Sequence, residues 1–83
     1  MDYAKAKLYW NKACDAGLPR GCERLAWLYH KGKVVARNET KVAEYMEKAC
    51  RLGSSEACNG IGVYYEQGVG VTKDPNKALR FYR

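Results

Sequence analysis

Apolar residues recur along the chain at helical spacing. Ala6, Tyr9, Trp10 and Ala13 fall at i, i+3, i+4 and i+7, and Val42, Tyr45, Met46 and Ala49 repeat the pattern. Cys22, Leu25, Ala26 and Tyr29 form a third set, and Cys58, Ile61, Gly62 and Tyr65 a fourth. Each set draws an apolar stripe along an amphipathic helix. No stretch alternates with a period of two, so strands are not expected. Polar and small residues mark the ends. Asp2, Asn38 and Asp74 are residue types that cap helix N-termini, and Pro75 suits a first helical position. Second helices are predicted to start near Pro19 and near Ser54-Ser55. Gly17 and Gly53 stand where the first helices end, and Gly32 and Gly68 where the second helices end, positions that favour left-handed backbone. The small residues Ala26 and Gly62 predict close helix–helix approach.

The pattern is a repeat with a period of 36 residues. At that offset Lys5 meets Lys41 and Lys77, Tyr9 meets Tyr45, Lys12-Ala13 meets Lys48-Ala49, and Tyr29 meets Tyr65. Cys14 and Cys22 meet Cys50 and Cys58. The predicted fold is all-α, an α/α solenoid of stacked helical hairpins. A first repeat runs over about 2–37, a second over 38–73, and a third starts at 74–83, all within one domain.

Composition narrows the class of function. The chain has 83 residues, 47% hydrophobic and 29% charged, which is globular and excludes disorder. A core this small buries only about 60% of the unfolded surface, so a covalent staple is expected. No apolar run is long enough for a membrane span. The N-terminus shows no apolar h-region, so no signal peptide is expected within the sequence. A net charge of +6 admits acidic partners and is too small to demand nucleic acid.

Leu25-Ala26-x-x-Tyr29-x-x-Gly32 and Ile61-Gly62-x-x-Tyr65-x-x-Gly68 resemble the signature of Sel1-like repeats, relatives of the tetratricopeptide repeat. Gly68-Val69-Gly70-Val71-x-x-Asp74 followed by Lys77-Ala78 extends the likeness. The first copy of that loop departs from it, with Val34 in place of the second glycine. The Cys-x7-Cys spacing across each helix pair resembles, more narrowly, the Helicobacter cysteine-rich proteins. That resemblance implies one disulfide per repeat and a secreted or periplasmic protein. A tight hairpin also brings the end of its first helix to the start of its second, so Cys14–Cys22 and Cys50–Cys58 are the expected pairs. Each closes a loop of about eight residues, worth roughly 2.5 kcal/mol in the chain-entropy model. The alternatives are free thiols and a zinc site. Zinc prefers cysteines two to four residues apart, and His30 is the single histidine. No metal or cofactor is expected.

The same resemblance implies, as an alternative function, weak penicillin-binding or β-lactamase-like activity. The residues do not supply its machinery. The serines are Ser54 and Ser55, and neither has a lysine three residues on. No catalytic residue is assigned. His30 is expected to serve the C-terminal dipole of its helix. Asn38-Glu39-Thr40 is a glycosylation sequon, but Asn38 reads as a cap. Trp10 and Trp27 read as inter-helix packing rather than as binding aromatics, and Ser54-Ser55 as turn and cap chemistry.

One stripe remains. Lys5, Tyr9 and Lys12 share a face of the first helix, Lys41, Tyr45 and Lys48 repeat it, and Lys77 and Phe81 begin it again. Solenoids bind partners along the surface lined by such helices. Two readings compete: a solvated lysine face over core aromatics, or a basic groove for an acidic protein or peptide. Protein–protein interaction outside the cytoplasm is therefore the expected function, with the mitochondrial intermembrane space as the alternative compartment. The third repeat should be helical from Asp74 onward. Ala78, Phe81 and Leu79 or Tyr82 form an apolar face expected to pack on the second hairpin around Ile61 and Tyr65, while the outer side of the helix is expected to contact another copy of the chain or the helix to be the most mobile.

Overall fold

The computed structural model describes residues 2–83. Five helices follow one another: α1 (Tyr3–Asp15), α2 (Pro19–Lys31), α3 (Glu39–Arg51), α4 (Ser55–Gln67) and α5 (Pro75–Tyr82). No strand occurs among the described residues. Each helix packs against its neighbours in sequence, giving an elongated body of 38 × 24 × 16 Å.

The helix starts follow the predicted chemistry. The side chains of Asp2, Asn38 and Asp74 each accept a hydrogen bond at 3.1 Å from the backbone N–H three residues on, at Lys5, Lys41 and Lys77. Ser54 does the same for Ala57. The equivalent cap of α2 is Leu18, which offers no side-chain bond; Pro19 at the first helical position fixes that start instead. Helix ends repeat at the same offset. Gly32 and Gly68 are left-handed, and their N–H groups donate to the carbonyls of Leu28 and Tyr64. The N–H groups of Asn38 and Asp74 then reach back to the carbonyls of Tyr29 and Tyr65, so each loop returns to the helix it left.

Val34 departs from this economy. It occupies the register of Gly70 and keeps the same backbone, with φ of +56° against +67°. A β-branched residue in that region is strained by roughly 1–3 kcal/mol. Glycine there would relieve the strain at an unfolded-state entropy cost of about 0.4–1 kcal/mol. Val34→Gly is therefore expected to stabilise the protein by on the order of 1 kcal/mol in urea denaturation, and a destabilised variant would contradict the strain.

Two apolar clusters form the core. Cys14, Cys22, Leu25, Leu28, Ala49 and Ala57 fill the first, and Ala43, Ile61, Tyr65 and Ala78 the second. Leu28 is fully buried although it lies outside the predicted stripe of α2, and Tyr29 is half-buried. Tyr9 is the clearest correction, being 68% exposed instead of lying in the apolar face of α1. Its counterparts explain why. Tyr45 stacks on Tyr29 with ring centroids 5.8 Å apart, and Phe81 stacks on Tyr65 at 5.5 Å. Each ring thus packs on the second helix of the preceding repeat. α1 is the first helix of the described chain, so Tyr9 meets no such ring. α5 is helical as expected; Ala78 and Phe81 pack into the second cluster, while Leu79 and Tyr82 stay exposed.

Candidate interaction surface

The lysine stripe lies on neighbouring faces of the odd-numbered helices. Lys5 and Lys12 on α1 are exposed and make no ion pair among the described residues. Lys41 pairs with Glu44 at 3.6 Å, and Lys48 crosses to Asp15 of α1 at 3.5 Å. Exposed pairs of this kind contribute about 0–1 kcal/mol and leave the lysines available. Lys77 sits 4.6 Å from the centroid of the Tyr65 ring, a cation–π geometry. The aromatics of the stripe divide. Tyr9 is free, whereas Tyr45 and Phe81 are committed to the seams between repeats. Burial, with Tyr29 beside it, pushes the Tyr45 hydroxyl above its ordinary pKa.

A groove absent from the sequence reading opens on another face, between α2 and α4. Its volume is about 450 Å³. Ala26, Val42, Met46 and Ala57 line it with apolar surface, with Trp27 and Tyr64 beside them. Arg20, Glu23 and Arg24 approach from α2, and Glu56 from α4. The signal in the sequence was Leu25-Ala26-Trp27-Leu28, a run apolar around more of α2 than one buried stripe requires.

Polar contacts brace this groove at both ends. The Ser54 hydroxyl donates to the Glu23 carboxylate, tying α2 to the start of α4. Glu39, the first residue of α3, accepts from the Tyr64 hydroxyl at 2.8 Å and from Arg37 Nε at 3.0 Å, and lies 3.3 Å from His30 Nδ1. Partial burial raises the Glu39 carboxyl, but bonds from Tyr64, Arg37 and His30 outweigh it and hold the pKa below the ordinary value. Burial and the same carboxylate push Tyr64 up to about 12. His30 therefore does more than face a helix dipole: it joins α2 to α3. Asn38 is a cap, and Ser54 is both a cap and the Glu23 partner. Trp10 and Trp27 are half-buried against the first core cluster.

The four cysteines pair within hairpins. Cys14–Cys22 and Cys50–Cys58 are disulfides with Cα atoms 4.7 and 4.6 Å apart, and no cysteine is free. The first bridge is fully buried and the second half-buried. No group of histidine, cysteine and carboxylate side chains that could hold a metal occurs among the described residues. No described helix is long and apolar enough to cross a membrane.

Known proteins share this architecture. The structure matches that of Helicobacter pylori cysteine rich protein B with a TM-score of 0.92 and 32% identity, over 98% of this chain and 61% of that one. A Sel1 repeat protein from Oxalobacter formigenes matches with a TM-score of 0.84 and 36% identity, over 89% of this chain and 56% of that one. The chain thus spans about three-fifths of the solved proteins it resembles. Comparison with curated protein sequences gives no match. The Sel1 repeat pattern matches three consecutive stretches, residues 2–18, 19–54 and 55–83, cutting the period within each hairpin rather than between hairpins. Those stretches cover every described residue, and the chain belongs to the Sel1 repeat family.

Proposed function

We propose that this chain is an interaction module of an oxidising compartment, where its basic stripe holds acidic segments of a protein partner. Sel1 repeats are protein–protein interaction scaffolds, and disulfides in every complete hairpin fit a place outside the cytoplasm. Secretion or export to a periplasm supplies that compartment; the mitochondrial intermembrane space is the alternative. The observation that carries the stripe is its register. Lys5 and Lys12 on α1 and Lys41 on α3 are all exposed, and Lys5 and Lys41 stand one repeat apart. A partner with carboxylates at matching intervals gains several charge-assisted contacts at once.

A fluorescein-labelled decamer of glutamate tests the stripe. Its affinity is expected to fall steeply with added salt, because exposed charges are screened beyond about 10 Å at 0.1 M. Lys41→Glu combined with Lys48→Glu should weaken binding by roughly ten-fold or more, equivalent to about 1.4 kcal/mol, with helicity by circular dichroism unchanged. Unchanged affinity in that variant would return these lysines to a solvated face.

A further inference from the structure

A second concavity adjoins the groove between α2 and α4. It has a volume of about 330 Å³ and is lined by Tyr3, Trp10, Arg24 and Trp27. Arg24 and Trp27 also line the larger groove, so these two side chains form a ridge with a hollow on either side. One hollow is aromatic. The other is floored by Ala26, Val42, Met46 and Ala57 and is aliphatic in character.

The ridge carries uncompensated positive charge. Arg20 and Arg24 are exposed, and neither makes an ion pair or hydrogen bond among the described residues. The nearest acid in sequence, Glu23, is turned to the α4 side, where it takes the Ser54 hydroxyl. Glu56 stands on the α4 wall and repels a second acidic group at that end. Arg20 lies in the first turn of α2, where the helix dipole adds positive potential.

We propose that this double hollow docks an extended peptide whose alternate side chains are apolar, acidic and apolar. Alternate residues of an extended chain share one face, so three such side chains point into the protein together. They span about 13 Å of chain, which clears a helix of about 10 Å diameter. The two apolar side chains seat on either side of Trp27. The carboxylate between them meets Arg24 and Arg20, whose forked donors suit a carboxylate. The site uses a face of α3 roughly a third of a turn from the lysine stripe, because Val42 and Met46 each follow Lys41 and Tyr45 by one residue. It therefore stands or falls separately from the stripe.

Both tryptophans of the chain line the aromatic hollow, so docking there must change intrinsic fluorescence. The probe is a peptide with the core Phe-Ser-Asp-Ser-Leu between glycine flanks, compared with the same peptide carrying lysine in place of aspartate. The aspartate peptide should shift tryptophan emission and bind at least about ten-fold tighter than the lysine peptide. Arg24→Gln should remove that preference, and Arg24→Lys should restore part of it, since lysine keeps the charge without the fork. Equal affinity for the two peptides, wild-type preference in Arg24→Gln, or no emission change on binding would each overturn the assignment.

Discussion

Replacing both Cys14 and Cys22 by serine is expected to cost about 3–5 kcal/mol, measured by urea denaturation followed at the helical circular dichroism band. The loop each bridge closes is short, and its chain-entropy contribution is roughly 2.5 kcal/mol. The rest comes from burial. Cys14 and Cys22 are 1% and 0% exposed and lie in the first core cluster. Two hydroxyls in that site lose water without assured partners, at about 1–3 kcal/mol each before any local bond forms. A chain of 83 residues has a total stability of about 4–12 kcal/mol. The double variant should therefore be partly or wholly unfolded at 37 °C. Cys50→Ser with Cys58→Ser should cost less, near the loop term alone, because that pair is half-buried and its hydroxyls keep water. The same difference in access predicts that limiting reductant opens Cys50–Cys58 first. Equal losses, or the reverse order, would contradict the assignment of the extra cost to burial.

Gly21→Ala is the second large effect. A Cβ at Gly21 would stand 2.6 Å from the backbone nitrogen of Cys14 and 2.8 Å from the carbonyl oxygen of Trp10. Both atoms belong to the main chain of α1 and cannot rotate away. The helices must part, straining a hairpin that the adjacent disulfide holds closed. Overpacking of this kind costs about 1–3 kcal/mol, and a backbone obstacle places it at the upper end. Alanine's better helix propensity returns about 1 kcal/mol at most. A net loss of about 2 kcal/mol is expected in thermal or urea melts, with mass spectrometry confirming that both bridges have formed. Ala57, at the same register of the second repeat, carries its Cβ without difficulty and is 5% exposed. A Gly21→Ala variant as stable as wild type would show that the two hairpins close alike.

The parts of the fold that read directly from sequence are those decided within one or two turns of chain. Asp2, Asn38, Ser54 and Asp74 cap helices because their side chains reach an N–H three residues away. The cysteine pairing follows from the hairpin register and from the family resemblance alike. Gly21 carries no sequence signal, because its need for close approach is set by α1, across the turn, and its counterpart is alanine. The exposure of Tyr9 is not legible in its helix, because burial at that register depends on a ring from another repeat. Val34 was visible as a departure from the loop pattern, but nothing in the sequence says that the backbone keeps the glycine conformation regardless. The groove needs α2, α3 and α4 together. Arg20, Arg24 and Glu56 each look like solvated surface until those helices place them around a shared hollow.

Covalent and aromatic joints alternate along the molecule, and this makes its stiffness uneven. Each hairpin is locked by sulfur, whereas successive hairpins meet through stacked rings, Tyr29 on Tyr45 and Tyr65 on Phe81. The first seam is braced by the Ser54–Glu23 bond and by Glu39 with its three partners. The second is braced by Lys77 over Tyr65 and by the exposed bond from the Tyr82 hydroxyl to Glu66. Under a bending load the hairpins would move as rigid plates, and the curvature of the superhelix would change at the seams. The second seam, which lacks a carboxylate with three partners, would yield more readily than the first. A partner that spans both seams would thus sense one stiff hinge and one soft one.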